Sequence, residues 1–365
     1  MEIHRKYQRM LNAPKILFIC GSLNQTTMMH KIAGHLPEFE HYYTPYYSDG
    51  FIDVLARNGL LDFSILGGEF RRQTEQYLNE NFLLIDYRGV TRDYDLVLTC
   101  CDLLVPKNIR TNRVILVQEG MTDPENLAYY LVKWLKLPRY LASTSTTGLS
   151  DAYNVFCVAS DGYREHFERK GVKPEKLVVT GIPNFDNCAE WLKNDFPYKN
   201  FVLVATSDSR ETFKIENRKK FIDQAVEIAA GRQLIFKLHP NEIVDRATLE
   251  INRYAPEAIV FSKGNINKMI ANCDVLITRF STVVYVGIAL KKEVYSEFNL
   301  DSLHRLAPIQ NGGTSAHNIA NVCRSLLYTT VIPQRRTPVT LFDSFLQSPK
   351  VAPVLRLLGK EIAVQ

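Results

Sequence analysis

Residues able to make and break bonds stand directly behind several apolar, strand-like runs of this 365-residue chain. His239 closes the stretch "QLIFKLHPNE" (233–242). Pro240 lacks an N–H and steers its predecessor away from the helical region, so the strand stops and the imidazole is presented at a sheet edge. There it could donate to a phosphate oxygen, protonate a departing phosphate, or simply cap a loop. Lys237 adds an ammonium to the same corner. Ser281 and Thr282 follow "CDVLITRF" and open a helix-like segment, where free N–H groups and the positive dipole end attract an anion. The plain alternative is a Ser/Thr helix cap; Arg279 either adds charge or is a solvated strand end. Glu119 and Gly120 follow "RVILV". Gly120 permits close backbone approach, and Glu119 suits a general base or a helix cap. In "VATSDSRET", Arg210 fits a diphosphate or carboxylate and Asp208 a carboxylate nucleophile, unless the stretch is a polar loop with a capping Asp.

Such residues need elements to hold them. Short apolar runs alternate with helix-period segments: "KILFIC" (15–20), "YDLVLTC" (94–100), "RVILVQEG" (113–120), "NVFCVAS" (154–160) and "KLVVTGIP" (176–183). After a polar break near 184–200 the cycle restarts with "FVLVAT" (201–206), "QLIFKLHP" (233–240), "AIVFS" (258–262), "CDVLITRF" (273–280) and "EVYSEF" (293–298). Continuous rather than alternating apolarity indicates strands covered on both faces, hence parallel sheets. Between them, Phe221, Ala225, Ile228 and Ala229 form one helical stripe stopped by Gly231. Ser160 is expected to cap a helix that Gly171 ends. The expected fold is α/β, with two doubly wound Rossmann-like domains facing across a cleft. Their expected limits are 1–185 and 186–335, followed by a helical tail, 336–365, that packs back on them. Residues 40–75 read as irregular structure.

Composition narrows the functional classes. A hydrophobic share of 46% and a charged share of 23% describe an ordinary globular protein. The net charge of +5 suits an anionic substrate or a negatively charged membrane face, and no basic run interleaved with aromatics points to nucleic acid. Seven cysteines without ligand or CxxC spacing suggest neither a zinc site nor a disulfide framework, and so a reducing, cytoplasmic setting. The charged start "MEIHRKYQRMLNAPK" lacks a signal-peptide core, and no apolar run is long enough to span a bilayer.

The ordered set resembles the GT-B superfamily of nucleotide-sugar enzymes. "VQEG", "KLHP" and "FST" are similar to the acidic-Gly, His-Pro and Ser/Ser-Thr motifs of bacterial sialyl- and polysialyltransferases, and to Kdo transferases. "CDVLITRFSTVVYVGIALKKEVYSEF" resembles a CDP-glycerol transferase segment, with Arg279 where that family has Asp. "VASDGYREHFERKGVKPEKLVVTGIPNFDN" resembles the hinge-proximal region of UDP-N-acetylglucosamine epimerases, whose acidic residues after the Ser-Gly-Gly turn and whose His-Gly-Asp loop are missing here.

The resemblance implies a metal-independent glycosyltransferase of bacterial capsule or lipopolysaccharide synthesis. It would use a CMP-linked ulosonic acid such as Kdo or sialic acid, with no further cofactor. The alternatives are a UDP-sugar or CDP-glycerol transferase, an epimerase-like enzyme, or an inactive binding scaffold. Glu119 would be the base and His239 would assist phosphate departure. Arg210, Lys237, His239, Pro240, Ser281 and Thr282 would hold the donor in the second domain. Gly21, Ser22 and Gly120 would line the acceptor side in the first. In a retaining scheme Asp208 would carry the covalent adduct. The expected partners are the nucleotide sugar and a glycan or lipid-linked glycan, with peripheral association at the inner membrane and no nucleic acid.

Overall fold

The computed structural model describes residues 13–207, 210 and 216–328. In the first half, β1 (Lys15–Cys20), β2 (Glu40–Pro45), β3 (Leu96–Thr99), β4 (Val114–Val117), β5 (Val155–Val158) and β6 (Leu177–Val179) form one parallel sheet in the order β2-β1-β3-β4-β5-β6. The second sheet holds β7 (Val202–Ala205), β8 (Leu234–Lys237), β9 (Ile259–Phe261), β10 (Val275–Thr278) and β11 (Glu293–Tyr295). Its order is β11-β10-β7-β8-β9, again parallel throughout. The order reverses between β1 and β3 in one sheet and between β7 and β10 in the other. At such switch points, beyond the strands' carboxyl ends, open α/β sheets take their ligands.

Five helices accompany the first sheet: α1 (Leu23–Ala33), α2 (Gly50–Arg57), α3 (Gly68–Glu80), α4 (Leu127–Leu135) and α5 (Asp161–Lys170). The second has α6 (Arg218–Ala229), α7 (Val244–Tyr254), α8 (Ile266–Asn272) and α9 (Val284–Ala289), followed by α10 (Leu300–Leu306) and α11 (Ser315–Tyr328). Every residue of β3, β4, β7, β8 and β10 is buried, as expected of strands covered on both faces. Ser160 caps α5 through a 3.3 Å bond from Tyr163 N, and Gly171 ends that helix at φ +107°. Helix α6 ends at Ala229, two residues before Gly231, with Ala230 itself left-handed at φ +47°.

Residues 40–75 are not irregular. They hold the edge strand β2, paired with β1 from Lys15↔Glu40 to Cys20↔Pro45, and then α2 and the start of α3. Tyr42, Tyr43, Tyr46 and Tyr47 are buried here. Aromatic side chains do the work that aliphatic runs do in the other strands, so the stretch lacks the pattern by which those were recognised. The last described helix, α11, falls within the stretch 186–335 but packs on α1 of the first half. Arg324 bonds the Glu38 carboxylate at 2.6 Å and His35 O at 2.6 Å, while Arg113 reaches the carbonyls of Leu326 and Leu327. The residues expected as a helical tail, 336–365, lie outside the described residues.

The two sheets meet carboxyl end to carboxyl end. Thr282, beyond β10, touches the Glu119–Gly120 turn beyond β4, and Tyr163 of α5 shares a buried 2.8 Å hydroxyl bond with Tyr285 of α9. Burial pushes the Tyr285 phenol up to about 12, so both partners stay protonated and one donates to the other.

Candidate functional site

Glu119 is held on three sides by the first turn of α1. Ser22 Oγ donates to Oε1 at 2.8 Å and Asn24 Nδ2 to the same oxygen at 3.3 Å, while Gln25 Nε2 donates to Oε2 at 2.5 Å. Ser22 serves twice, because its Oγ also accepts from Gln25 N as the N-cap of α1. The first turn of α1 contains no acidic residue. Glu119 therefore supplies, from across the sheet, the negative charge that a helix amino terminus favours. Gly21 makes room for this clamp: a Cβ there would lie 2.2 Å from Gln25 Oε1. The turn carrying Glu119 is set by Gln118, buried beneath it, whose Nε2 donates to Gly120 O at 2.8 Å and whose Oε1 accepts from Ala159 N at 2.9 Å.

Gly120 faces the second domain at close range. A Cβ on it would sit 2.7 Å from both Oγ1 and Cγ2 of Thr282. The Thr282 hydroxyl accepts from Met121 N at 3.2 Å. Ser281 and Thr282 do not cap a helix. They lie in a turn, α9 begins at Val284, and its N-cap is Val283 without a side-chain bond. At six residues α9 is also too short to form the expected anion-binding terminus. What remains of that expectation is a half-buried Ser281–Thr282 corner against the Gly120 turn.

His239 shares that edge of the second sheet, because the register pairs Ala205 with Lys237 and Thr278 with Ala205. Its N–H donates to Thr206 Oγ1 at 3.0 Å and to Glu242 Oε2 at 2.8 Å. Its Nδ1 accepts from Asn241 N at 3.2 Å, which leaves Nε2 as the ring's donor position. Pro240 is exposed beyond it.

Glu242 went unrecognised in the sequence. It lies three residues past His239, at the spacing by which an acidic side chain reaches back to a preceding N–H, and that spacing was legible in "HPNE". It is buried, bonded also to Thr206 Oγ1 and to Arg218, itself buried and paired with Glu216 at 3.1 Å. A desolvated ionic cluster thus braces the loop that presents the imidazole.

Two expected donor contacts, Lys237 and Arg210, point elsewhere, as does Arg279 beside them. Lys237 is buried and its ammonium is spent on the carbonyls of Leu238 (2.6 Å) and Ser262 (3.1 Å); burial lowers its pKa. Arg210 pairs with Glu250 of α7 at 2.8 Å. Arg279 pairs with Glu297 at 3.0 Å. In each case a nearby acceptor within the second domain engages the cation locally. Asp208 lies outside the described residues.

The arrangement offers a half-buried, rigidly held carboxylate on one domain and an imidazole and hydroxyls on the other. A substrate held between them would meet a proton acceptor on one side and hydrogen-bond donors on the other.

Neither a family model nor a curated protein matches the sequence. Solved structures do. A Listeria monocytogenes protein assigned as a UDP-N-acetylglucosamine 2-epimerase aligns at 12% identity and a TM-score of 0.57, covering 89% of this chain and 100% of that one. The UDP-N-acetylglucosamine 2-epimerase of Neisseria meningitidis, bound to UDP-N-acetylglucosamine, aligns at 10% identity and 0.54, covering 85% and 100%. S. aureus MnaA with UDP aligns at 12% identity and 0.53, covering 88% and 100%. At these identities the likeness is one of fold. The chain has two Rossmann-like domains in the GT-B arrangement.

Proposed function

We propose that the chain is an enzyme that binds a nucleotide sugar between its two domains and transfers the sugar to an acceptor hydroxyl. The observation that carries this is the juxtaposition of the clamped Glu119 carboxylate with the Thr282 corner of the opposite domain. Glu119 takes the proton of the acceptor hydroxyl as that oxygen bonds to the anomeric carbon. The bond from that carbon to the phosphate oxygen breaks, and the nucleotide leaves with the electron pair. His239, donating through Nε2, and the Ser281–Thr282 corner stabilise the charge growing on the phosphate. The Thr206–Glu242–Arg218 cluster keeps the imidazole in place.

The donor class favoured by the sequence motifs is a CMP-linked ulosonic acid, whose single phosphate one imidazole and a hydroxyl corner can serve. The acceptor would be a glycan or lipid-linked glycan. A second reading, UDP-sugar chemistry of the transferase or epimerase kind, is supported by the UDP and UDP-N-acetylglucosamine complexes among the structures of like fold.

A thermal-shift panel of CMP, CDP, UDP and GDP separates the two. A nucleotide at a hundred times its dissociation constant should raise stability by about 2.7 kcal/mol. A shift with CMP supports the first reading, and a shift with UDP alone transfers support to the second. No shift with any of the four would overturn the nucleotide-sugar assignment.

A further inference from the structure

We propose that Asn184, in the segment that crosses from the first domain to the second, is a positioning residue for Glu119: it fixes which way the Asn24 side-chain amide points. An ionised carboxylate only accepts hydrogen bonds, so the end of Asn24 that faces Glu119 must be the Nδ2 donor, which lies 3.3 Å from Oε1. A side-chain amide can turn end over end with little change of shape, so a second partner has to choose that orientation. The choice is made on the far side of Asn24. Asn184 Nδ2 donates to Asn24 Oδ1 at 2.8 Å, and to Asn24 O and Thr27 Oγ1 at 3.0 Å each. A backbone carbonyl only accepts, and the Thr27 hydroxyl spends its own proton on Asn24 O at 3.0 Å. Both oxygens therefore call for the nitrogen end of Asn184. Facing that nitrogen, Asn24 offers Oδ1 on one side and is left with Nδ2 for the carboxylate on the other.

Asn184 is itself held at a junction of three segments. Lys31 Nζ bonds Pro183 O at 3.0 Å and so ties the crossing to α1. Gln310 Nε2 donates to Phe185 O at 2.5 Å, and its Oε1 accepts from Cys188 N at 3.0 Å. Asp186, buried, accepts from Ser315 N at 2.8 Å through Oδ2 and from Gly312 N at 3.1 Å through its carbonyl. The returning segment that leads into α11 thus grips the outgoing one, and Asn184 stands where they meet α1. The chain of amides from Asn184 through Asn24 to Glu119 carries the constraint from that junction into the site. On the transferase reading, on which this consequence alone rests, the base is aligned by the segment about which the domains would turn.

The test is a double-substitution cycle on the full chain without substrate, read as melting temperature. Asn184→Asp keeps the side chain's shape but replaces its donor by an acceptor, so the Asn24 amide turns over and sets Oδ1 against the Glu119 carboxylate. Asn184→Ala removes the donor without reversing it. Asn184→Asp should therefore lower the melting temperature further than Asn184→Ala does. In Asn184→Asp/Glu119→Gln the new amide at position 119 can donate to the reversed Oδ1. That double variant should melt about 2 °C or more above the value to which the singles sum. Direct repulsion between carboxylates at 184 and 119 would act in the same sense, so the cycle is repeated with Asn24→Ala, where the relay is cut and the two substitutions should add. Additivity with Asn24 in place, non-additivity that survives Asn24→Ala, or Asn184→Asp no more harmful than Asn184→Ala would each overturn the proposal. No substrate enters the cycle, so its failure would leave the transferase reading standing, and failure of that reading would leave the relay standing.

Discussion

Alanine at position 120 would drive a methyl group into the opposite domain. The new Cβ would lie 2.7 Å from Thr282 Oγ1 and Cγ2, where about 3.5–4.0 Å is comfortable for carbon, so roughly an ångström must be found. Thr282 cannot easily retreat, since Val284, Tyr285 and Val286 immediately behind it are buried. Rotating its side chain away would forfeit the bond from Met121 N. Overpacking of this kind costs about 1–3 kcal/mol. Thr282→Ala alone removes the acceptor of that bond, at about 0.5–1.5 kcal/mol. In the double variant the remaining close approach is to Thr282 Cβ at 3.3 Å, which small shifts relieve. A urea-denaturation cycle, followed by tryptophan fluorescence, should therefore show the double variant about 1–2 kcal/mol more stable than the sum of the singles implies. Additivity within about 0.5 kcal/mol would refute the claim that the two turns are in contact.

Other substitutions probe individual groups. Glu119→Gln should leave nucleotide affinity near normal yet slow transfer by about 10²–10⁴-fold in a single-turnover assay, as loss of a base does. For His239→Ala, turnover should fall far more than the melting temperature, because the half-buried ring stands past the end of its strand and outside the buried core; equal losses would make it a structural residue. Arg218→Ala strands the buried Glu242 and Glu216 carboxylates and should cost about 3–5 kcal/mol in chemical denaturation. His166 tests pH dependence: burial, with Lys170, Arg169 and Arg305 nearby, pushes its imidazole down to about 4. The unfolded chain then binds the proton first, so stability present above pH 6.5 is lost as the pH falls towards 4. Allowing for partial exposure, the loss should be about 1–2 kcal/mol, and His166→Leu should flatten that part of the pH–stability curve.

The parallel sheets were legible because strands covered on both faces leave uninterrupted apolar runs, as in "KILFIC" and "FVLVAT". Strand β2 was not, because its tyrosines carry polar tips and no aliphatic run marks it. At the site, the sequence located the corners better than the contacts within them. Gln118, Glu119 and Gly120 could be picked out behind β4. The Asn24 and Gln25 side chains that clamp the carboxylate come from about ninety-five residues earlier, a distance no local pattern spans. Lys237, Arg210 and Arg279 illustrate the converse. Cations behind strands suggest anion binding, yet a carbonyl pair, Glu250 and Glu297 engage them inside the second domain. Glu242 could have been read from its spacing to His239, since an acid three residues on is within reach of the preceding N–H.

The functional proposal requires that the carboxylate of one domain and the imidazole and hydroxyl corner of the other serve one bound substrate. Its most direct measurement is a crystal structure of the full chain soaked with whichever nucleotide shifts its melting temperature. The account predicts a phosphate within hydrogen-bond distance of His239 Nε2 or the Ser281–Thr282 corner, with the open end of the nucleotide directed towards Glu119. A nucleotide seated away from the carboxyl ends of β7, β8 and β10, with Glu119 remote from it, would contradict the account.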